Sequence, residues 1–167
     1  MLRSDYDNQS CSVAGALAVV GERWSLLIVR NIFLGLRRFD EIQAQLGIAR
    51  NVLDSRLRRL VAEGVIERRL YSTRPERFEY RLTEKGLDLW PTVVALMQWG
   101  DRYAPPPGGP AVLIEHRGCG GALDEHRECT RCGARVEVRE AVARPGPGAD
   151  SDHPLVRREA ALAADPA

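Results

Sequence analysis

Two short helical segments, separated by a glycine and followed by two strand-like segments, lie between residues 39 and 82, and this order constrains the fold of the 167-residue chain most. The first segment is Phe39–Leu46, and Gly47 separates it from a second that begins at Ala49. Apolar residues recur in both at helical spacing, namely Phe39, Ile42 and Leu46, then Leu53, Leu57, Leu60 and Val61. The pattern predicts a helix-turn-helix.

The strand-like segments after the second helix predict a β-hairpin. Residues 65–71 are rich in β-forming side chains, and apolar and charged residues alternate in residues 78–82. The polar loop between them, residues 72–77, contains Arg74 and Arg77. A hairpin directly after a helix-turn-helix is a wing, so the sequence predicts a winged helix.

Apolar helices flank this region on both sides. A first helix begins at a serine cap, Ser10 or Ser12, and ends near Val20, and a buried one covers residues 24–34. Thr83 caps a long helix that reaches about Gly100 with a mild kink at a proline. The predicted fold class is mostly α, α+β, with long flanking helices available for dimerisation.

Composition shifts divide the remainder of the chain. Residues 1–104 form the predicted winged-helix and dimerisation domain, and the Pro/Gly-rich residues 105–110 form a linker. Residues 111–143 form a small zinc-ribbon-like segment that contains three cysteines. Residues 144–167 have few side chains to bury and are predicted to be disordered, apart from a short helix near residues 157–163.

Basic residues concentrate where the helix-turn-helix and wing are predicted: residues 50–81 contain nine arginines and five acidic residues. Arginine and asparagine can form paired hydrogen bonds with guanine and adenine, and arginines also bind phosphates. The outer face of the second helix, the wing tip and the start of the first helix supply the predicted DNA contacts: Arg37, Arg38, Arg50, Asn51, Ser55, Arg58, Arg59, Arg74 and Arg77. The alternative is an ordinary solvated polar face.

A spacing typical of metal ligands occurs near the C-terminus. His116 and Cys119 are separated by two residues, as are Cys129 and Cys132, and each pair is followed by a glycine. One histidine and three cysteines suit a closed, structural, tetrahedral zinc site, which would stabilise a segment too short to build a core. A thiol cluster without metal, or a redox pair of Cys129 and Cys132, remain alternatives.

Cys11 lies at the start of the first predicted helix, where the helix dipole would lower the pKa of a thiol. The alternative is a small buried hydrophobic residue. Aromatic residues suggest a second route to regulation, because they could line a ligand pocket near the dimer helices, although core packing is the favoured explanation. They are Trp24, Phe33, Trp90, Trp99 and Tyr103.

The combined order of these elements resembles the HxlR-type winged-helix transcription regulators, small dimeric bacterial relatives of the MarR group. The resemblance implies a dimer built from the first and last helices, DNA binding at an operator, and in some members an N-terminal redox- or electrophile-sensing cysteine. Ser12 and Ala49 depart from the family, which usually has proline and serine there. The resemblance is carried by Cys11, Gly21–Ile28, Gly35–Ile42, Leu53–Leu60, Glu63–Ile66, Glu79–Gly86 and Trp99–Gly100.

The sequence therefore predicts a dimeric DNA-binding regulator, most often a repressor, that binds a near-palindromic operator in double-stranded DNA and responds to thiol chemistry or a small molecule. An alternative is a protein-interaction adaptor that docks partners through the cysteine segment. A zinc enzyme is less consistent, because no catalytic triad, phosphate loop or clearly open metal position is visible. Residues 1–8 are polar and no run of eighteen apolar residues occurs, so we expect a cytoplasmic protein without a membrane span.

Overall fold

The computed structural model of the chain describes Tyr6 and residues 9–164, which divide into two compact units, Met1–Asp88 and Leu89–Ala167. The first unit contains five helices and a β-hairpin, and the second contains two helices and a two-stranded ribbon. In the first unit the elements are α1 (Ser12–Val20), α2 (Ser25–Phe33), α3 (Phe39–Leu46), α4 (Arg50–Ala62), β1 (Ile66–Thr73), β2 (Glu76–Leu82) and α5 (Glu84–Leu87). In the second they are α6 (Trp90–Tyr103), β3 (Val112–His116), β4 (Ala141–Pro145) and α7 (Pro154–Ala164).

The core of the first unit is built from one face each of α2, α3 and α4. Leu53, Leu57 and Leu60 of α4 are buried, as their spacing predicts. Ile42 of α3 and Ile28 of α2 are fully buried with them. The core thus holds α3 and α4 in the predicted helix-turn-helix.

Val61, the last apolar residue of the α4 pattern, is 37% exposed, because it lies at the edge of the face that Leu53, Leu57 and Leu60 form. The predicted serine cap of α1 is absent: Cys11 precedes the helix, and no side-chain cap hydrogen bond is formed. Ala49 likewise leaves α4 without a side-chain cap, as its residue type predicts.

The wing is an antiparallel pair of strands, and the chain just before α3 lies along one edge of it. Strands β1 and β2 pair Ile66 with Leu82 and Leu70 with Phe78, with a register shift after Leu70. The backbone N–H of Tyr80 donates to the Arg37 carbonyl at 2.8 Å, which attaches the α2–α3 connection to the outer edge of β2. The start of α3 and the wing are therefore joined through backbone hydrogen bonds.

The single helix predicted between residues 83 and 100 is instead two helices. Thr83 caps α5, since its Oγ1 accepts a hydrogen bond from the Gly86 N–H at 3.1 Å, and α5 ends at Leu87. Pro91 then lies in the first turn of α6. Backbone N–H groups there have no acceptor within the helix, so a proline costs no helical hydrogen bond. The predicted kink is a break, because the proline begins a new helix.

The two compact units meet between Asp88 and Leu89. Helix α6 contacts the segment between β3 and β4: Gln98 Nε2 donates to the Asp124 carbonyl at 2.8 Å, and Arg102 lies 3.4 Å from the Glu125 carboxylate. These contacts group α6 with the C-terminal residues.

The segment after residue 143 is ordered as far as it is described, so the predicted disorder of residues 144–164 is wrong. Strand β4 pairs with β3, and the pairing continues into the predicted linker, because Gly148 N–H donates to the Pro110 carbonyl at 3.0 Å. The close approach requires glycine: a Cβ on Gly148 would lie 2.0 Å from the Gly109 carbonyl oxygen. Helix α7 follows, with Leu155 buried. Residues 165–167 of the predicted tail lie outside the described residues.

No single helix in the described part of the chain has the length and apolar character needed to cross a bilayer. Helices α1 and α2 meet that requirement only when taken together, and they are bent by 75° at their junction.

Candidate nucleic-acid interface and metal cluster

A groove of about 1200 Å³ lies between α3, α4 and the wing. Its floor is the outward face of α4, and its sides are the first turn of α3 and the two wing strands. Fifteen residues line it: Arg38, Phe39, Asp40, Glu41, Arg50, Asn51, Asp54, Arg58, Val61, Arg68, Tyr71, Glu76, Arg77, Phe78 and Tyr80. Five of these are arginines, so the groove offers many donors to an anionic ligand.

Three of the groove arginines stack on aromatic rings. The Arg38 guanidinium lies 5.0 Å from the centroid of the Tyr71 ring. The corresponding distances are 4.6 Å from Arg50 to Phe39 and 3.4 Å from Arg68 to Phe78. Stacking on a ring face attracts the guanidinium and limits its rotamers, while leaving its in-plane N–H groups available. These three donors are therefore held in place on the groove wall.

Carboxylates accompany the arginines in the groove. The Asp54 carboxylate accepts a hydrogen bond from Arg58 Nη2, one helical turn further along α4. Burial raises the pKa of Tyr80; the Arg68 guanidinium opposes this rise, and the Asp54 carboxylate adds to it. The electrostatic effect of Asp54 thus extends across the groove to the wing.

The structure brings together five of the nine predicted DNA-contact residues. Arg38, Arg50, Asn51, Arg58 and Arg77 all line the groove. The remaining four, Arg37, Ser55, Arg59 and Arg74, are exposed but do not line it.

Arg59 has its own partner outside the groove. Its Nη2 donates to the Ala18 carbonyl near the end of α1 at 2.5 Å. Nearby, Arg56 pairs with Glu22 at 3.0 Å. These two arginines of α4 connect that helix to the α1–α2 corner.

The sequence prediction missed Arg68, which lines the groove from β1. Arg68 pairs in register with Tyr80 on β2, another groove residue. The register shift after Leu70 breaks the alternation of side chains along β1, so alternation alone does not give the groove face of this strand. The prediction considered only the arginines at the wing tip.

The second site is a cluster of one imidazole and three thiols on the ribbon. The four predicted ligand atoms, from His116, Cys119, Cys129 and Cys132, all lie within 4.8 Å of one another. His116 Nδ1 is 3.5 Å from Cys119 Sγ and 3.3 Å from Cys132 Sγ. Cys119 Sγ is 3.3 Å from Cys129 Sγ, and all four cysteines of the chain are free thiols, so the proposed redox pair is not a disulfide here. The cluster could hold a metal ion.

Two similar turns build this cluster. In the first turn Gly120 N–H donates to the His116 carbonyl at 2.8 Å, and in the second Gly133 N–H donates to the Cys129 carbonyl at 2.8 Å. Both glycines have positive φ, 70° and 72°, which other residues rarely adopt. Each turn thereby directs its two ligand side chains to one point.

The local backbone favours a thiolate at Cys129. Burial raises the pKa of its thiol, but the N–H groups of Arg131 and Cys132, together with Cys119 and His116, lower it to about 6. At Cys119 the Gly121 N–H lowers the pKa, while the neighbouring thiols and burial raise it by more. A divalent metal ion would bind the thiolate forms of these cysteines, so its binding would release protons.

Cys11 is exposed, which argues against its being a buried apolar residue. It immediately precedes α1, and the backbone N–H groups of Ala14 and Val13 lower the pKa of its thiol. The thiol is therefore accessible and tends toward the thiolate form.

The aromatic residues considered for a ligand pocket have different environments. Trp90 is buried, as core packing predicts, but Trp99 and Tyr103 are 60% and 63% exposed. Their rings contact each other on α6, with centroids 5.4 Å apart. With the exposed Leu96, they form an apolar face on this helix, and α1 exposes Val13 and Leu17 in the same way.

Comparisons with known proteins agree with this architecture. The HxlR-like helix-turn-helix family matches residues 19–107. The HTH-type transcriptional regulators Rv3095 of Mycobacterium tuberculosis and Mb3122 of Mycobacterium bovis are each 51% identical over 137 residues, which cover 82% of this chain and 87% of theirs. These relatives are similar over both units.

Solved structures are similar as well. PA1607, described as a transcription factor, superimposes with a TM-score of 0.64 and 38% identity over 81% of this chain and 94% of its own. The redox regulator HypR, in its oxidised form, gives a TM-score of 0.52 and 33% identity over 55% of this chain and 96% of its own.

Proposed function

Since the chain belongs to the HxlR-like helix-turn-helix family of transcriptional regulators, we propose that it binds a near-palindromic operator as a homodimer and represses the adjacent gene. The fold class and the family predicted from the sequence are confirmed, and the named relatives are transcriptional regulators, not enzymes. We place the protein in the cytoplasm, where such an operator would be accessible.

The groove between α4 and the wing is the observation that carries this proposal. Asn51 and Arg58 lie on the groove face of α4, where they suit base edges in a major groove. Arg38, Arg68 and Arg77 lie around them and suit phosphates. Arg37, Arg50, Ser55, Arg59 and Arg74 remain proposed contacts, of which Arg59 requires release from Ala18.

Dimerisation is supported by the exposed apolar faces of α1 and α6. Val13, Leu96, Trp99 and Tyr103 would cost free energy in water, and burial against a second copy would recover it. Two recognition helices one DNA turn apart would then match a near-palindrome.

The proposal is tested by selecting bound duplexes from random DNA, with and without oxidant, followed by a salt titration of the selected site. We expect a near-palindromic consensus and an affinity that falls steeply with salt, because several phosphates are neutralised. Fusing that site to a reporter promoter then distinguishes repression from activation. Indifference to DNA would instead favour the protein-interaction adaptor.

We propose zinc as the occupant of the His116/Cys119/Cys129/Cys132 cluster. Zn–S bonds of about 2.3 Å and Zn–N bonds of about 2.0–2.1 Å in a tetrahedron require ligand atoms roughly 3.5–3.8 Å apart. Four of the six separations among the ligand atoms lie between 3.3 and 3.7 Å, close to this range, and all six are within 4.8 Å. Four protein ligands would fill every position of the ion, so its role would be structural.

Metal analysis of the purified chain tests the zinc site. We expect about one zinc per chain, and chelation should lower the melting temperature, because the ribbon has little other core. Cys132→Ser should lose the zinc, whereas Cys11→Ser, a matched change outside the cluster, should retain it. Protein without stoichiometric zinc whose melting ignores chelators would contradict the site.

We propose Cys11 as a thiol that modulates operator binding. Its exposure and lowered pKa support this role, as does the similarity to a redox regulator solved in its oxidised form. Two Cys11 thiols of a dimer would give two protons and two electrons to a peroxide-class oxidant and form a disulfide, or one thiolate would take up an electrophile. Oxidant-dependent release of DNA that persists in Cys11→Ser would contradict this role.

A further inference from the structure

Asp54 is the one acidic side chain that α4 contributes to the groove lining. With Asn51 three residues before it and Arg58 four residues after it, it forms a row on one face of the helix, since residues three and four apart are neighbours. All three belong to the groove. A carboxylate in the middle of a DNA-facing row therefore needs an explanation.

Arg58 differs from the other groove arginines in how closely it is bound to a carboxylate. Arg38 and Arg50 lie over aromatic rings and 3.9 Å from the Glu41 and Asp40 carboxylates, and Arg68 lies over a ring. Arg58 has no ring partner among the described residues, and its Nη2 donates a hydrogen bond to Asp54. The side chains of Arg58 and Asp54 remain 76% and 45% exposed. They therefore form a donor–acceptor pair that is fixed at one end and accessible from the groove.

The two members of this pair complement a G·C base pair. Guanine offers two acceptors in the major groove, O6 and N7, to which a guanidinium can donate, and cytosine offers the N4 amino donor, which a carboxylate can accept. Against a phosphate the carboxylate would instead repel. Its position is thus consistent with a base edge and inconsistent with backbone contact.

We propose that Asp54 and Arg58 act together as the G·C-specific element of the recognition helix. Arg58 donates to guanine O6 and N7, while Asp54 orients Arg58 and accepts from a cytosine amino group on the opposite strand. This inference rests on the proposed function, because it assigns base specificity to a helix that must first bind DNA.

A second ion pair of the same unit provides a matched control. Arg69 and Glu67 on β1 also pair, at 2.5 Å, but neither residue lines the groove. Neutralising Arg69 or Glu67 changes the net charge of the protein as much as neutralising Arg58 or Asp54. Effects of overall charge can therefore be separated from effects on base preference.

The experiment selects operators from random duplex DNA with the full chain and four variants: Arg58→Gln, Asp54→Asn, Arg69→Gln and Glu67→Gln. We expect Arg58→Gln to reduce the preference for guanine at one position of each half-site about ten- to a hundred-fold. Asp54→Asn should relax the same or the neighbouring base pair. The Arg69 and Glu67 variants should keep the wild-type consensus even where their affinity changes.

Two results would overturn the inference alone: a wild-type consensus retained by both α4 variants, or an Asp54→Asn protein that binds every sequence more tightly by the same factor. The second result would mean that Asp54 only repels phosphates. A wild-type protein that selects no sequence would contradict the proposed function and this inference together. Matching melting curves for all five proteins exclude misfolding as the cause of a changed consensus.

Discussion

At the scale of single residues, Cys11 is an exposed thiol of the first unit whose pKa the surrounding backbone lowers. The backbone N–H groups of Ala14 and Val13 stabilise its thiolate. Its pKa is therefore lowered, and the thiolate persists to lower pH than in an ordinary cysteine, whose pKa is about 8.5.

We predict that alkylation of Cys11 follows this shift. The rate should rise with pH and reach half its plateau at a lower pH than for a cysteine in an unstructured peptide, because only the thiolate reacts. Peptide mapping by mass spectrometry isolates Cys11 from the clustered thiols. Coincident midpoints for Cys11 and the reference peptide would show that the helix start does not activate the thiol.

Residue spacing predicted the buried positions better than the partners of exposed side chains. Leu53, Leu57 and Leu60 are buried because a helical period fixes their common face. The hydrogen bond of Arg59 to Ala18 joins residues 41 positions apart, and no local pattern encodes such a contact. Ser55 and Arg59, two of the four predicted contacts that do not line the groove, show the same limit: periodicity gives a face of α4 but not the neighbouring element.

At the scale of elements, the wing and α4 act as one surface. Arg77 follows the start of β2 and lines the groove from the wing side. We predict that Arg77→Ala weakens binding to all sequences similarly and reduces the slope of log affinity against log salt by about 1, as the loss of one phosphate contact requires. Salt titrations on specific and random duplexes measure both effects. A changed consensus with an unaltered slope would assign Arg77 to base contact.

The C-terminal strands depend on two glycine-containing segments lying side by side. We predict that Gly148→Ala lowers the free energy of unfolding of the second unit by about 1–3 kcal/mol, because the added methyl would overlap the Gly109 carbonyl. Gly15→Ala is the matched change: nothing lies within 4 Å of the new methyl, and alanine favours the helix by about 0.5–1 kcal/mol. Denaturant melts of the purified proteins compare them, and an unaffected Gly148→Ala would disprove the pairing.

Element types were predictable from the sequence, but the C-terminal order was not. Helices α3 and α4 and the hairpin follow from apolar periodicity and turn residues. Residues 144–164 have few apolar side chains, and the start of this segment pairs through its backbone with residues more than thirty positions earlier. Composition predicts disorder where pairing between distant segments, not apolar burial, orders the chain.

At the scale of the whole molecule, the exposed face of α6 determines the expected assembly. We predict that the wild-type chain has the mass of a dimer by light scattering at micromolar concentration, and that Trp99→Glu shifts it toward the monomer, because a charge would have to be buried in the interface. Leu113→Glu, which also charges an exposed apolar position but on β3, should remain dimeric. A monomeric wild type would remove the basis for a near-palindromic operator.

The pairing of β3 with β4 brings the entry and exit of the cysteine cluster next to each other. A loop whose two ends are neighbours can be lengthened, shortened or deleted without redirecting the chain on either side. The segment between β3 and β4 can therefore change in length while the chain before and after it keeps the same path.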